Sequence, residues 1–541
     1  MTDRAITDLL AAAEPTEPAP LGGLIDRLAG EGRSLGARRD GRAIGAAALA
    51  PIRIGGVTHD SRDIRPGSLF VAVPGLRADG HEFVAAAAAA GAAAALVERA
   101  IPDVALPQLV VRDTRGALAT AAAWWYGDPS HDLAVVGITG TDGKTTTSFL
   151  AVAALESAGI RTGMTGTAAT RIGSTQAANE AHATTPEAPA LQRALRAMAL
   201  AGDAVAVIET TSHGLALARV DEIAYDIAIL TNLTHEHLEL HGTWQAYRGA
   251  KLRLFEKLAR RDQPSRPKPT AWPRTGIVNA DDPSAGAFIG VAQEAGARVL
   301  TYGTDPAADI RATRVEEDRH RLRIAYDAPS GAATVDLQLV GRFNAHNALA
   351  VVALGEAIGL DPATVREGLA SVSVIPGRME RIDLGQPFGL IVDFAHSPAS
   401  LQTVLDLLAP LAASSGGGVI AVFGSAGERD TAKRPLMGRI AGERARIVVV
   451  TDEDPRGEDR NAILDAIARG AEASGKRRDH DLLVIADRRA AIEAAIERAR
   501  PGDIVLLAGK GHEQAIIGPD GPLPWNEREE AELALHRAGY G

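Results

Sequence analysis

The stretch Gly137–Thr147, GITGTDGKTTT, carries the residue types that hold a phosphate chain. Glycines at Gly140 and Gly143 let backbone N–H groups turn toward an anion without side-chain clash. Lys144 follows, placed to reach β- and γ-phosphates, and the Thr145 hydroxyl is a ligand type for Mg²⁺. Thr141, Asp142 and Thr146 complete the loop. The spelling is a variant, because the general phosphate-loop pattern wants a glycine where this chain has Ile138. A second group is VIETTSH, in which Glu209 closes an apolar run and offers a carboxylate to a metal. Taken alone, Glu209 and His213 read equally well as a solvated acid and a capping residue.

These groups need elements to hold them. The apolar run LAVVGIT predicts a strand before the loop, and TTTSFLAVAALESAG predicts a helix after it. The helix N-terminus would add partial positive charge at the loop. Beyond it, AVAVIE and IAILTN alternate with helical patterns, which implies βαβ units and a parallel sheet. Upstream, SLFVAV, AALVE and QLVV predict short strands, with FVAAAAAAGAAA as an Ala-rich helix. The first 50 residues are rich in Ala, Gly, Pro and Arg, and GEGRSLGARRDGRAIGAAALA reads as a loop or insertion. Gly127–Ser130 reads as a linker. A second break falls near SVSVIPGRME, after which LIVDF, GVIAVFG, RIVVVTDE and DIVLLAG predict the strands of another α/β domain. The expected fold is therefore α/β in three domains. Residues 1–130 form a small α/β domain with 1–50 partly irregular. Residues 131–375 form a central phosphate-loop ATPase domain with a mainly parallel sheet, and 376–541 a Rossmann-like α/β domain.

Composition narrows the class. The 541 residues are 46% hydrophobic and 23% charged, an ordinary soluble balance. No run of about 18 apolar residues appears, so no membrane span is expected. The N-terminus, MTDRAITDLLAAAEPTEPAP, has acids and prolines where a signal peptide needs an apolar stretch, so a cytoplasmic protein is expected. The absence of cysteine excludes disulfides, thiolate metal sites and a cysteine nucleophile. A net charge of -11 with interspersed signs disfavours a nucleic-acid surface and leaves room for a local basic pocket. A monomer acting on small molecules is expected.

TGTDGKTTT resembles the TGTNGKTT loop of the Mur ligases, with Asp142 in place of asparagine. Folylpolyglutamate synthetases share a related loop, so the loop alone does not choose between them. Asn232–Phe255, NLTHEHLELHGTWQAYRGAKLRLF, resembles the family segment NLTxDHLDxHG…YxxAKxxLF, with Glu236 and Glu239 replacing aspartates. By that resemblance Lys251 becomes carbamylated, and His237 and His396 join Lys144, Lys251 and Glu209 as candidate catalytic residues. Carbamylation would turn an ammonium that repels Mg²⁺ into an anion that supports it. It requires the neutral amine, which burial beside cations would favour. The implied metal ligands are Thr145, Glu209 and Lys251. NADD, Asn279–Asp282, resembles an adenine-proximal stretch and implies nucleotide contacts at Asn279 and Asp282. GRFNAHNALA adds Asn344 by resemblance; Asn344 and Asn347 alone are weak signals, since asparagine commonly caps helices.

Thr58–Phe83, THDSRDIRPGSLFVAVPGLRADGHEF, resembles the UDP-binding domain of the branch of the family that adds amino acids late in the series. It implies uridine contacts at Asp60, Ser61 and Arg62. ATTPEAP and ETTSH imply that Thr184, Thr185 and Thr211 face the UDP-muramyl peptide, with Arg219 suited to its carboxylates and phosphates. Five further segments match in order: PGRME, VDFAHSP, VFGSAGERDTAKRPLMG, TDEDPRGE and AGKGHE. They imply an acceptor site of Arg378, Arg429, Glu453, Asp454, Pro455, Arg456, Gly509 and Glu513. The resemblance as a whole implies a Mg²⁺-supported, ATP-dependent ligase. It would join an amino acid to the D-Glu carboxylate of UDP-N-acetylmuramoyl-L-alanyl-D-glutamate through an acyl phosphate, in peptidoglycan precursor synthesis. The family's DNPR reads Glu453-Asp454-Pro455-Arg456 here. Retained Arg456 favours meso-2,6-diaminopimelate. An anion at Asp454 would repel a carboxylate and attract an amine, which keeps L-lysine and L-ornithine open. A degenerate binding protein that has lost turnover is the alternative of another class.

Overall fold

The computed structural model describes residues 2–40, 42–75, 78–179, 183–234, 241–259, 268, 272–318 and 321–541. Two compact units emerge: Met1–Ala177 with Ala183–Arg311 and Ala350–Val365, and Ala178–His182 with Ala312–Leu349 and Arg366–Gly541. Among the described residues, no helix is long and apolar enough to cross a membrane.

The first unit opens with α1 (Thr2–Ala12) and α2 (Gly22–Gly30). A hairpin of β1 (Ser34–Arg39) and β2 (Arg42–Ile44) follows. It borders a sheet with β3 (Gly56–Thr58), β4 (Ser68–Val71), β5 (Ala94–Val97) and β6 (Gln108–Val111), in the order β2-β1-β6-β5-β4-β3. The expectation of a loop over residues 30–50 is thereby corrected. Its Gly and Arg residues belong to an edge hairpin whose β1 pairs antiparallel with β6 and buries Ala37. Exposed Arg42 on the outer strand suits a sheet edge. The Ala-rich helix is also shorter than expected, Val84–Ala89, because Gly91 at φ 89° turns the chain toward β5. α3 (Thr114–Tyr126) then ends on Gly127 at φ 73° and Asp128 at φ 53°, a tight turn into the next strand.

The second sheet of this unit starts with β7 (Ala134–Thr139), followed by α4 (Lys144–Ser157). Next come β8 (Thr162–Thr165), β9 (Ala169–Ile172), β10 (Thr175–Ala178) and α5 (Ala188–Ala201). β11 (Val205–Glu209), β12 (Ile227–Leu230), α6 (Trp244–Glu256), β13 (Thr275–Asn279) and β14 (Arg298–Gly303) follow. Across these strands the order is β10-β9-β8-β11-β7-β12-β13-β14, and the sheet continues beyond β14 through residues 310–317, 322–327 and 333–337. β8, β11, β7, β12, β13 and β14 pair in parallel. β7, β11 and β12 are buried along their whole length, as continuous apolar runs in a covered parallel sheet must be. α1 departs from the irregular start expected of the chain: Ile6 and Ala13 lie in the same apolar core as Leu191, Leu195 and Ile208. Arg27 bridges Asp128 and Glu222, and Glu14 accepts hydrogen bonds from Tyr126 and Arg193.

In the second unit, β15 (Glu380–Ile382) and β16 (Gly389–Asp393) precede α7 (Pro398–Ser414) and β17 (Val419–Phe423). α8 (Lys433–Arg444), β18 (Ile447–Val450), α9 (Arg460–Ala473) and β19 (Leu482–Val484) follow. The chain ends with α10 (Arg488–Glu497), β20 (Ile504–Ala508), the hairpin β21 (Ala515–Gly518) and β22 (Gly521–Pro524), and α11 (Glu527–Arg537). The sheet order is β15-β16-β20-β17-β18-β19, with only β15 antiparallel among the described pairs. Alternate residues of β17 face opposite sides: Val419, Ala421 and Phe423 meet one helical layer, Ile420 and Val422 the other.

Candidate functional site

β7 lies between β11 and β12, so the loops after these three strands meet at one edge of the sheet. In open α/β sheets, ligands occupy the crevice beyond the strand C-termini. The loop after β7 is cradled by the segment after β12. Thr141 N donates to Asn232 O (2.8 Å), and Asp142 N donates to Asn232 Oδ1 (2.9 Å). Gly140 has φ 151°, and a Cβ there would fall 1.9 Å from Thr231 Oγ1. Only glycine fits. Gly143, at φ 81°, caps α4 and aims its first-turn N–H groups outward. Lys144 Nζ bonds Gly140 O (2.9 Å) and Thr141 O (2.7 Å), so its charge rests over the loop. Thr146 is buried in the first turn of α4.

Thr145 Oγ1 donates to Glu209 Oε2 at 3.0 Å. Glu209 is buried at the end of β11, and Thr167 supports it through its backbone N–H (3.0 Å) and hydroxyl (2.8 Å). A Cβ on Gly166 would meet Glu209 Oε1 at 2.1 Å, so a glycine there makes room for the carboxylate. Neither Gly166 nor Thr167 was anticipated; a Gly-Thr pair closing the strand TGMT was the available signal.

Lys251 reaches the same loop. α6 buries Tyr247, Ala250, Lys251, Leu254 and Phe255, a stripe at helical spacing, and Lys251 stands on that apolar face at 2% exposure. Its Nζ donates to Gly140 O at 2.6 Å and lies 4.8 Å from the centre of the Tyr247 ring. The Tyr247 hydroxyl contacts Thr141 Oγ1 at 2.9 Å. Thr145, Glu209 and Lys251 thus converge on one loop. Among the described residues, no group of three His, Asp or Glu gathers to hold a metal unaided. A hydroxyl, one carboxylate and a lysine able to become an anion fit Mg²⁺, which takes few protein ligands and shares phosphate oxygens. The glycine cradle and Lys144 fit the phosphates of ATP.

Thr184, Thr185, Thr211 and Arg219 join this network. Thr167 Oγ1 contacts Thr184 Oγ1 (2.9 Å), and Thr185 Oγ1 donates to Glu209 O (2.8 Å) and contacts Thr211 Oγ1 (3.0 Å). Arg219 holds Thr185 O (2.8 Å) and pairs with Glu187 (2.6 Å). Asn279 donates to Thr231 O (2.7 Å), and Asp282 accepts from Leu233 N (2.5 Å), so both brace the segment after β12. In the UDP-like motif, Asp60 accepts from Arg62 and is pushed down to about 2 by it, while Ser61 stands half-exposed beside them. His237, Glu236 and Glu239 lie outside the described residues.

The remaining candidates belong to the second unit. Asn344 donates to Val340 O and accepts from Asn347. Arg378 stacks over Phe394, 4.8 Å from its ring centre, and His396 Nδ1 contacts Phe394 O (2.8 Å). Arg429 is exposed after β17. Glu453, Asp454, Pro455 and Arg456 follow β18, and Gly509 and Glu513 follow β20. Lys510 was not anticipated. Its side chain is wholly buried and donates to Asp454 Oδ1 (2.8 Å) and Glu513 Oε2 (2.6 Å). Asp454 also accepts from Ile517 N (2.9 Å). The anion expected at Asp454 is paired: Lys510 offsets its charge. Glu513 is nonetheless pushed up to about 7, mainly by burial, with Asp454 and Glu453 adding to the rise and Lys510 opposing it. Glu453 is 7% exposed, and its Oε2 has no hydrogen-bond partner among the described residues. Gly509, at φ 103°, leaves the space beside that oxygen open, since a Cβ there would sit 3.0 Å away. Arg456 takes φ 55°, and its N–H donates to Ile517 O (2.8 Å). A buried carboxylate with a spare oxygen, a lysine-bridged acid pair and an arginine can together bind an amino acid by both its charges.

Three domain families match in chain order: the Mur ligase family catalytic domain over residues 53–126, the Mur ligase middle domain over 138–355, and the Mur ligase glutamate ligase domain over 377–511. A UDP-N-acetylmuramyl-tripeptide synthetase of Roseiflexus sp. (strain RS-1) is 48% identical over 492 residues, covering 90% of this chain and 96% of that protein. A UDP-N-acetylmuramoyl-L-alanyl-D-glutamate--2,6-diaminopimelate ligase of Geobacillus thermodenitrificans is 39% identical, covering 88% and 94%. A solved structure of a ligase of that same name superposes with a TM-score of 0.61 at 30% identity, covering 92% of this chain and 98% of the other. With its phosphate loop, its buried Glu209 and Lys251 and these matches along its length, the chain belongs to the Mur ligase family of amide-bond-forming ligases.

Proposed function

We propose that this chain is the ATP- and Mg²⁺-dependent ligase that adds meso-2,6-diaminopimelate to the D-Glu carboxylate of UDP-N-acetylmuramoyl-L-alanyl-D-glutamate. It acts as a cytoplasmic monomer in peptidoglycan precursor synthesis. The observation that carries this reading is the convergence of Lys144, Thr145, Glu209 and Lys251 on one phosphate loop. Residues 1–130 bind the UDP end, 131–375 bind ATP, and 376–541 bind the acceptor.

Gly140–Thr146 hold the phosphates, with Asn279, Asp282 and Asn344 toward the nucleotide. Lys251 adds carbon dioxide at Nζ, loses a proton and becomes a carbamate anion, which with Thr145 and Glu209 would hold Mg²⁺. Held there, Mg²⁺ would supply neutralisation of the phosphate charge during transfer. Ser61, Thr184, Thr185, Thr211 and Arg219 place the muramyl dipeptide so that its free carboxylate attacks the terminal phosphoryl group, and ADP leaves. His237 and His396 assist there. The acceptor amine then attacks the acyl phosphate carbonyl, loses a proton and expels phosphate. Arg378, Arg429, Glu453, Asp454, Pro455, Arg456, Gly509 and Glu513 hold the acceptor, with Arg456 clamping a carboxylate. ADP release with UDP-muramyl dipeptide, assayed across meso-diaminopimelate, L-lysine, L-ornithine and D-lysine, tests both activity and acceptor. Turnover with meso-diaminopimelate that disappears in Lys144→Ala is expected. Full activity in that variant defeats the reading, and turnover with L-lysine or L-ornithine alone reassigns the acceptor.

A further inference from the structure

Arg488 opens α10, where a cation faces the unfavourable end of the helix dipole. Local helix chemistry gives no reason for it. Its side chain and that of Glu527, the first residue of α11, are both wholly buried. Arg488 Nε and Nη2 bond the Glu527 carboxylate at 2.9 and 2.6 Å. The guanidinium then spends its remaining donors on two main-chain carbonyls: Nη1 on Asp452 O (3.0 Å) and Nη2 on Ala508 O (2.9 Å). Those carbonyls belong to the residues directly before Glu453 and Gly509. The two loops leave β18 and β20, strands separated in the sheet by β17. Arg488 therefore ties together two loops that their own strands do not pair.

Glu527 is held from its other side by Trp525 Nε1 (2.6 Å). Trp525 N in turn donates to Gln514 O, at the base of the hairpin β21–β22. Ile517, on that hairpin, bonds Asp454 through its N–H and Arg456 through its carbonyl. One buried ion pair thus links both acceptor loops and the hairpin zipped onto the first of them.

We infer that the Arg488–Glu527 pair is the positioning unit of the acceptor amino-acid pocket, an inference that rests on the reading of that pocket given above. It touches no substrate. Its work is to hold the backbone on which Glu453, Asp454 and Gly509 stand. A lysine cannot reproduce it, because it lacks the planar fork that spans a carboxylate and two carbonyls.

The test compares Arg488→Lys with Arg488→Met/Glu527→Leu in the full chain. The double variant removes both charges, and an apolar pair of similar volume can pack in a buried pair's place, so the fold survives. Both variants are expected to raise the acceptor KM at least about tenfold while KM for ATP and for UDP-muramyl dipeptide stays within about twofold. Amide hydrogen exchange should quicken in residues 452–456 and 508–513 and not in β17. A merely structural pair predicts a double variant with wild-type acceptor KM and unchanged exchange. That result, or a parallel rise in all three KM values, overturns the inference. Wild-type protein without acceptor-dependent turnover would instead defeat the proposed function, and loop exchange would still decide the positioning role.

Discussion

Lys251 shows how one residue's meaning depends on its surroundings. On the buried face of α6, an unmodified lysine bonds Gly140 O beside the Tyr247 ring. A carbamate there would add oxygen ligands near Thr145 and Glu209. Lys251→Arg keeps a cation of similar reach and cannot form that anion. We expect it to fold, with an unchanged melting curve, and to lose about a thousandfold in turnover, the scale of losing metal support to phosphoryl transfer. Glu513 makes a prediction in pH. Its native value of about 7 lies above its ordinary 4.5, so between the two the folded protein holds a proton the unfolded chain has released. Stability from this group is therefore lost as pH rises through that window, at most about 3 kcal/mol by pH 8. Glu513→Gln should narrow its stability deficit, or gain over wild type, on going from pH 5 to pH 8 in denaturant melts. Wild-type KM for a cationic acceptor should fall across pH 7, and the variant should lose that fall. Lys144, Thr145, Glu209 and Lys251 were legible because each stands in a spelled motif. Arg488 and Thr167 were not, since a lone basic or hydroxyl residue has no period or spacing to mark it, and the motif around Lys510 does not show which acids its side chain bridges.

At the scale of elements, the apolar strands were easy to read and the small ones were not. LAVVGIT, AVAVIE, IAILTN and DIVLLAG became β7, β11, β12 and β20 because each is buried on both faces. The hairpin β1–β2 was not legible because it buries little at its end of the sheet: Ala37 is the buried residue of β1. α1 escaped for a different reason. Its apolar residues cover another element's core, so its pattern says helix only once the partner is known. Ile6 inserts beside Leu191 and Leu195 of α5's core. Ile6→Ala should cost about 2 kcal/mol in denaturant unfolding while turnover at moderate temperature persists, since α1 carries none of the candidate site. An unfolding midpoint equal to wild type would show that α1 is not part of that core.

At the scale of the molecule, the same device recurs in both units. A buried parallel sheet presents loops at its C-terminal edge, and those loops carry the candidate residues. In the first unit they gather phosphate-binding and metal-binding types; in the second they gather carboxylates, a buried lysine and arginines. Chemistry that activates a carboxylate and then admits an amine needs both sets. Order along the chain and family membership were legible in the motifs, while the acceptor was not. Asp454 reads as an anion in the sequence and is found bridged by Lys510. In the proposed reaction, amide formation passes through an acyl phosphate. This route is tested most directly by labelling the free D-Glu carboxylate of UDP-muramyl dipeptide with oxygen-18 and analysing the inorganic phosphate released during turnover with meso-diaminopimelate. The account predicts one labelled oxygen in each phosphate released. Amide product formed alongside unlabelled phosphate would contradict it.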